Sequence, residues 1–230
     1  MESRIINNCR IFSFPSKEIF LSSIENEKKV LVAMNAEKIL KKDTRLKEII
    51  NNNIGYADGV GAVMALKQKG LDAIKIPGSE FWLDIVNRFY KLKSFYIVGS
   101  SQKVIDRTIE KLNNDFPAIN IVGYRNGYLK DGEKEQLKSD IVEKKPDIVF
   151  VAQGTPAQEY LMNDLMDVHK ALYMGLGGSF DVYTGCKKRA PKFYLDFHLE
   201  WFYRLLKEPT RLSRQIVLIR FLILLKLRKL

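Results

Sequence analysis

The sequence is poor in the residues that hold metals and disulfides. It contains two cysteines, Cys9 and Cys186, and two histidines, His169 and His198, among 230 residues. Two cysteines make neither a metal-binding cluster nor a disulfide framework, and neither histidine has a partner constellation for catalysis. The pattern fits a reducing cytoplasm, and we expect a protein without a metal or another cofactor.

Long apolar runs are also scarce. Residues 1–17 are polar and lack the apolar core of a secretory signal. The most apolar stretch runs from Gln215 to Leu225 and is interrupted by Arg220. It is shorter than the roughly 20 residues that a helix needs to cross a bilayer. We therefore expect no transmembrane segment here.

Positive charge is concentrated at the carboxyl end. The net charge is +11, and the residues from Lys187 onward include twelve basic and three acidic side chains, which accounts for +9 of it. Such a tail favours an anionic partner. Apolar residues flanked by Arg211, Arg214 and Lys226 favour a helix lying on anionic lipid. A helix packed on the core or on a neighbouring subunit is the alternative. Nucleic acid ranks last, because no recognised nucleic-acid motif is present.

Apolar runs alternate with helical periodicity along most of the chain. Strands are predicted at 30–34, 54–57, 94–98, 119–122, 148–152 and 171–174. Helices are predicted at 36–51, 60–69, 79–92, 102–114, 133–144 and from 156 to about 169. This alternation predicts an α/β protein with a Rossmann-like parallel sheet and helices on both faces. A basic amphipathic helical appendage would follow at the carboxyl end.

Polar and glycine residues follow the predicted strands directly. They are Asn35, Asp58, Gly99, residues 153–158 and residues 175–181. In open α/β sheets, ligands bind outside the carboxyl ends of the strands. The sequence therefore predicts one ligand site at this edge. A DxD pair and a GxGxxG turn are both absent, which favours a metal-independent enzyme and disfavours a dinucleotide-binding oxidoreductase.

Three blocks of sequence together resemble a known family. They are GYADGVG from Gly55 to Gly61, GTPAQE from Gly154 to Glu159, and the segment from Gly175 to Arg214 that contains GLGGSFDVYTGCKKRAP and LEWFYRLLKEPTRLSR. They are similar to ADGxG, GxPxQE, GxGGxFDxxxGxxxRAP and LEWxYRLxxEPxRxxR of the WecG/TagA/CpsF family of bacterial glycosyltransferases. The resemblance runs from about Asn35 to Arg214.

The resemblance implies an inverting, metal-independent glycosyltransferase. Its donor would be a UDP-sugar, with N-acetylmannosamine as the first expectation and glucose or a uronic acid as alternatives. Its acceptor would be a sugar on undecaprenyl diphosphate, in teichoic acid, capsule or O-antigen synthesis at the inner face of the plasma membrane. A dimer or trimer is compatible with the family and with an apolar tail. The rival hypothesis is a non-catalytic membrane or nucleic-acid adaptor.

The resemblance assigns the catalytic chemistry to Asp58, as the general base that takes a proton from the acceptor hydroxyl. From the residues alone, a helix-capping aspartate is an equal alternative. Asn35 is the second catalytic candidate: it would contact the acceptor or donor, or cap a turn. The family often has TxN at this point, whereas this chain has Ala33-Met34-Asn35. The hydroxyl of the family threonine is therefore absent.

The remaining candidates would bind the nucleotide-sugar. Lys75 stands where the family usually has an arginine before Pro-Gly, so the charge is kept but the bidentate fork is lost. Gln158 and Glu159 open a helix, whose amino end attracts anions. Glycines allow a phosphate to approach the backbone closely. The donor candidates are Lys75, Gly99, Tyr128, Gln158, Glu159, Gly177, Gly178 and Asp181.

Spaced arginines follow the third block. Arg204, Arg211 and Arg214 match the family spacing and would contact the diphosphate of a lipid-linked acceptor or the membrane, together with Arg220. We expect a core over residues 1–195, with an acceptor half at about 1–92 and a nucleotide half at about 93–195. Residues 196–230 would form a membrane-associating appendage.

Overall fold

One eight-stranded sheet organises the computed structural model, which describes residues 1–187, residue 194 and residues 212–230, with side chains in the last range from 216 onward. The strand order is β1-β2-β4-β3-β8-β7-β5-β6. All pairs are parallel except β1 with β2. The strands are β1 (Glu2–Ile6), β2 (Cys9–Ser13), β3 (Val30–Met34), β4 (Ile54–Ala57), β5 (Ser94–Gly99), β6 (Asn120–Arg125), β7 (Ile148–Ala152) and β8 (Leu172–Gly175).

Helices cover both faces of this sheet, which confirms the predicted α/β class. They are α1 (Lys17–Ile24), α2 (Ala36–Leu40), α3 (Thr44–Asn52), α4 (Val60–Gln68), α5 (Gly78–Phe89), α6 (Gln102–Asp115), α7 (Glu133–Lys144), α8 (Ala157–Val168), α9 (Ser179–Tyr183) and α10 (Leu212–Lys226). One apolar layer lies under α2, α3, α4, α7, α8 and α10, and we call this the α8 face. The other lies under α1, α5, α6 and α9, and we call it the α5 face.

Four local features differ from the predictions. The single helix predicted over 36–51 is two helices, because Asp43 accepts a hydrogen bond from the Leu46 N–H (3.0 Å) and starts α3 after an extended Lys41. β6 extends to Arg125 rather than ending at 122. The hairpin of β1 and β2 and the helix α1 were not predicted. β1 buries only Ile6, so it carries little apolar periodicity.

The paths of the chain after the strands open a cleft at the carboxyl edge. After β5 and β8 the chain enters α6 and α9 on the α5 face. After β3 and β7 it enters α2 and α8 on the α8 face. Where neighbouring connections leave on opposite faces, a crevice forms beyond the strand ends. The topology therefore predicts a cleft along the ends of β3, β8, β7 and β5, where the sequence predicted a ligand.

The carboxyl-terminal helix α10 packs on the α8 face with one side only. Phe221 is fully buried, and a Cβ on Gly61 of α4 would lie 3.0 Å from its Cε1 atom. The side chains of Gln68 and Lys69 donate hydrogen bonds to the carbonyls of Leu225 and Leu230, each at 2.9 Å. The outer side of α10 exposes Ile216, Ile219 and Ile223, and Leu227 follows the helix; all four are more than half accessible. None of the helices in the described ranges is long and apolar enough to cross a membrane.

Candidate active site

Asp58 follows β4 directly and is held in place by the backbone around it. Its N–H donates to the carbonyl of Met34 on the neighbouring strand (3.0 Å). Its Oδ1 atom accepts a hydrogen bond from the N–H of Gly78 at 2.7 Å. Only glycine fits at position 78, because a Cβ there would lie 2.8 Å from the hydroxyl of Tyr56. The half-buried carboxylate therefore has a fixed position at the rim of the cleft.

Asn35 lies beside Asp58, at the end of β3. Its Oδ1 atom accepts a hydrogen bond from the N–H of Lys38 at 2.9 Å and so caps α2. A Cβ on Gly59 would lie 3.3 Å from the Cβ of Asn35, which shows how closely the two strand ends approach. The structure thus brings together the two residues assigned to catalysis. Asn35 also caps α2, which is the alternative role that the sequence allowed for it.

The hydroxyl of Tyr56 is a buried polar group beneath this end of the sheet. It has no hydrogen-bond partner among the described residues. Burial raises the pKa of Tyr56 well above its usual range, and the nearby charges of Asp58 and Glu159 raise it further. The side chain therefore stays protonated and keeps a proton that it can donate. Sequence reasoning missed Tyr56, because it resembles any core tyrosine.

Two glycine turns border the cleft beyond β7 and β8. Gly154 and Gly177 have positive φ angles of 80° and 56°, a conformation that favours glycine. Among the described residues, no atom lies within 4 Å of where a Cβ would stand on Gly154, Gly177 or Gly178. The backbone of both turns is therefore open to a bound group on that side.

Gln158 connects these two turns. Its Oε1 atom accepts hydrogen bonds from the N–H groups of Gly154 (3.2 Å) and Gly177 (2.9 Å). The side chain is only 4% exposed and packs against Gly175, where a Cβ would lie 2.5 Å from Nε2. In this structure Gln158 therefore supports the two turns from the protein interior and does not project into the cleft.

Glu159 is still more buried, at 1% exposure, and forms an ion pair with Lys38 of α2 at 2.7 Å. The same oxygen, Oε1, also accepts from Thr155 Oγ1 and Gln158 Nε2, each at 3.2 Å. Lys38 was not a candidate in the sequence. A lysine in the first turn after a capping asparagine is ordinarily a solvated residue, and only the three-dimensional packing shows its burial.

The end of β5, at Gly99, is connected to Asp181 of α9 through Ser100. A Cβ on Gly99 would lie 2.5 Å from the carbonyl oxygen of Ala152, so only glycine permits this close approach of β5 to β7. Ser100, the next residue, donates a hydrogen bond from its hydroxyl to Asp181 Oδ2 at 3.2 Å. Its carbonyl accepts from Gly127 N–H at 2.9 Å, which brings in the loop of Tyr128. The Tyr128 side chain is 74% exposed.

The remaining candidates are cationic. Lys75 is exposed, and the next residue, Ile76, donates its N–H to the carbonyl of Ala57 at 2.8 Å, which places Lys75 beside the end of β4. Arg220 is exposed on α10. The predictions for Arg204 and Arg211, and for the side chain of Arg214, lie outside the described residues. Within the described ranges, no three His, Cys, Asp or Glu side chains lie together so that they could hold a metal ion.

A comparison with protein families adds an independent finding. Residues 9–230 match the family model described as "Glycosyl transferase WecG/TagA/CpsF family". The match includes every strand from β2 to β8 and continues through α10. It therefore covers the whole carboxyl edge at which the candidate residues meet.

Cys186 provides a chemical probe of the segment that follows α9, the helix that carries Asp181. Hydrogen bonds from Thr184 and Arg107 lower the pKa of the exposed Cys186 thiol, whereas burial raises the pKa of the Cys9 thiol. A lower pKa increases the thiolate fraction below pH 9, and the thiolate is the reactive form. We expect iodoacetamide at pH 7.5 to modify Cys186 first and Cys9 only after denaturation, as measured by peptide mass spectrometry.

The variant Arg107→Met removes the guanidinium that lies 3.5 Å from the Cys186 sulfur. It should slow alkylation of Cys186 and shift the pH dependence of the rate upward. Equal labelling of both cysteines in the folded protein would contradict the arrangement described here.

Proposed function

This chain belongs to the WecG/TagA/CpsF family of glycosyl transferases, which act in cell-surface polysaccharide synthesis, and we propose that it transfers N-acetylmannosamine from a UDP-sugar to a sugar on undecaprenyl diphosphate. The transfer inverts the anomeric carbon and requires no metal ion. The observation that carries the proposal is the arrangement along one sheet edge. Asp58 and Asn35 lie on one side, and the glycine turns at Gly154 and Gly177 lie on the other.

Asp58 acts as the general base. Its carboxylate accepts the proton of the acceptor hydroxyl while that oxygen forms a bond to the anomeric carbon. The bond from the anomeric carbon to the diphosphate oxygen breaks on the opposite side, and UDP leaves. β4 and β8 are separated by β3 alone, so their ends are about 10 Å apart at a strand spacing of about 4.8 Å. That separation leaves room for a sugar between the base and the diphosphate.

The glycine turns and the amino end of α8 bind the diphosphate. Backbone N–H groups and a helix amino terminus stabilise negative charge that builds up on the leaving group. Lys75 supplies a cation at the end of β4. Asp181, fixed by Ser100, binds the ribose or the base of the nucleotide, and Tyr128 covers it. Gln158 and Glu159 act from beneath the turns.

Two departures from the family pattern bear on the substrate. Ala33 replaces the family threonine, and Lys75 replaces the family arginine. Both positions lie near Asp58, because Ala33 pairs with Tyr56 in the sheet and Lys75 lies beside the end of β4. UDP-glucose and UDP-uronic acids therefore belong in the test as alternative donors.

The deciding experiment measures UDP release from a panel of UDP-sugars, with and without a lipid-diphosphate-GlcNAc acceptor, in the presence of EDTA. We expect release that depends on the acceptor and on one donor. Release that occurs only without EDTA would contradict the metal-independent mechanism. If every donor is inert, calorimetry with UDP separates a wrong substrate, for which UDP still binds, from a wrong function.

Replacement of the base should abolish turnover without unfolding the protein. In Asp58→Asn the amide oxygen still accepts the hydrogen bond from Gly78, but the side chain no longer takes a proton. We expect kcat to fall about 10²- to 10⁴-fold, with melting temperature and UDP affinity unchanged. Asp167→Asn, at the exposed far end of α8, is the matched control. Undiminished turnover in Asp58→Asn would remove Asp58 from this role.

A methyl group at Gly178 should obstruct the donor but not the fold. The position has a negative φ angle of −96° and open space where a Cβ would stand. Gly178→Ala should therefore keep the wild-type melting temperature. The methyl group would occupy the space assigned to the diphosphate, and we expect Kd for UDP to rise at least about tenfold, or about 1.4 kcal/mol. An unchanged Kd would place the diphosphate elsewhere.

The exposed side of α10 supports attachment to the membrane. Isoleucines and leucine lie there beside Arg220, and the arginines at 204, 211 and 214 would bind the diphosphate of the lipid-linked acceptor or the anionic headgroups. We place the protein in the cytoplasm, on the inner face of the plasma membrane.

The double variant Ile219→Ser/Ile223→Ser should bind less to vesicles that contain phosphatidylglycerol, in a sedimentation assay. Higher salt should weaken the remaining binding further. Val142→Ser/Val168→Ser replaces two exposed apolar side chains elsewhere and should have no effect. If the α10 variant binds vesicles normally but changes the molecular mass measured by light scattering, the surface is a subunit interface instead.

A further inference from the structure

The buried ion pair between Lys38 and Glu159 joins the two sides of the candidate site. Lys38 belongs to α2, which Asn35 caps, and Glu159 belongs to the first turn of α8, beside the turn of Gly154. Their side chains are 5% and 1% exposed. By contrast, the ion pair of Arg45 with Asp164 connects α3 to the same helix α8 at the surface, where the arginine is 54% exposed. A buried pair has a high desolvation cost and is weak evidence of a stabilising role.

The hydrogen bonds around Gln158 show what Glu159 does. Two backbone N–H groups, from Gly154 and Gly177, donate to Gln158 Oε1, so this atom must be the amide oxygen. The amide nitrogen then donates to Glu159 Oε1 at 3.2 Å. If the amide were turned over, its NH₂ group would face the N–H donors of Gly154 and Gly177, and its oxygen would face the carboxylate of Glu159. None of these contacts would be a hydrogen bond. Glu159 therefore reinforces the orientation that the two N–H groups favour, because it binds the amide nitrogen.

We propose that Glu159, held by Lys38, is a positioning residue that locks the Gln158 amide and thereby sets the spacing of the two glycine turns. The inference rests on the proposed function, because these turns are the ones assigned to the donor diphosphate. The lock acts on donor binding through Gln158 and requires no contact between Glu159 and substrate. Oε2 of Glu159 has no hydrogen-bond partner among the described residues, so the carboxylate acts through Oε1 alone.

The test separates positioning from simple stability. Glu159→Met keeps the length of the side chain but removes both the charge and the acceptor for the Gln158 amide, and it leaves Lys38 buried without a counterion. It should lower the melting temperature and raise Kd for UDP at least about fivefold. The double variant Glu159→Met/Lys38→Met removes the stranded charge, so its melting temperature should largely recover. Its Kd for UDP should stay high, because no carboxylate orients Gln158.

A second measurement needs no nucleotide. With ¹⁵N-glycine labelling, the N–H groups of Gly154 and Gly177 should exchange with solvent at least about tenfold faster in both variants than in the wild type. Asp164→Asn disrupts the ion pairs of α8 with the more exposed Arg45 and Lys134. It should leave Kd and exchange unchanged.

The outcomes separate this inference from the proposed function. If Kd and exchange recover in the double variant along with stability, the pair is only structural and the inference fails. If the wild type does not bind UDP, the proposed donor fails. The exchange rates then decide alone: faster exchange in the double variant supports the lock, and unchanged exchange overturns it.

Discussion

The candidate site depends on one buried amide. The oxygen of Gln158 holds the turns after β7 and β8 at a fixed distance from each other, and a carboxylate holds its nitrogen. Both turns contain a glycine at positive φ, and glycine has more conformational freedom than any other residue. A flexible backbone would lose entropy each time it closed on a charged ligand. The hydrogen bonds of Gln158 order the turns when the protein folds, so this entropy is already lost before a ligand binds.

The sheet order supplies the second constraint. Because β3 and β4 lie beside β8 and β7, the ends of strands that are far apart in sequence form one continuous edge. Lys38 reaches Glu159 across this edge, although 121 positions separate them in the chain. Residues 1–92 and 93–195 each contribute four neighbouring strands to a single sheet, and strands from both ranges share its two apolar layers. Whether these ranges bind the acceptor and the nucleotide respectively stays a prediction.

Much of this arrangement could be predicted from local patterns. Runs such as Val30–Met34 and Ile148–Ala152 are fully apolar because both of their faces are covered, and the polar residues that follow them mark the carboxyl edge. What local patterns could not reveal are features with long-range causes. The burial of Lys38 depends on a carboxylate from another helix. The break at Asp43 has a local cause, a capping aspartate, but the apolar residues around it keep one helical period and conceal it. Strand β1 buries only Ile6, since it lies at the edge of the sheet.

The contact between Gly61 and Phe221 has a consequence for how the family signature is interpreted. Gly61 is the last residue of the block that resembles ADGxG, yet the atoms nearest to its missing side chain belong to a helix 160 positions further along. Part of this signature therefore records packing and not catalysis. During evolution the two positions would have to change together, because a larger residue at 61 requires a smaller one at 221. A relative that lacks the aromatic ring at the second position could lose the glycine without losing its chemistry.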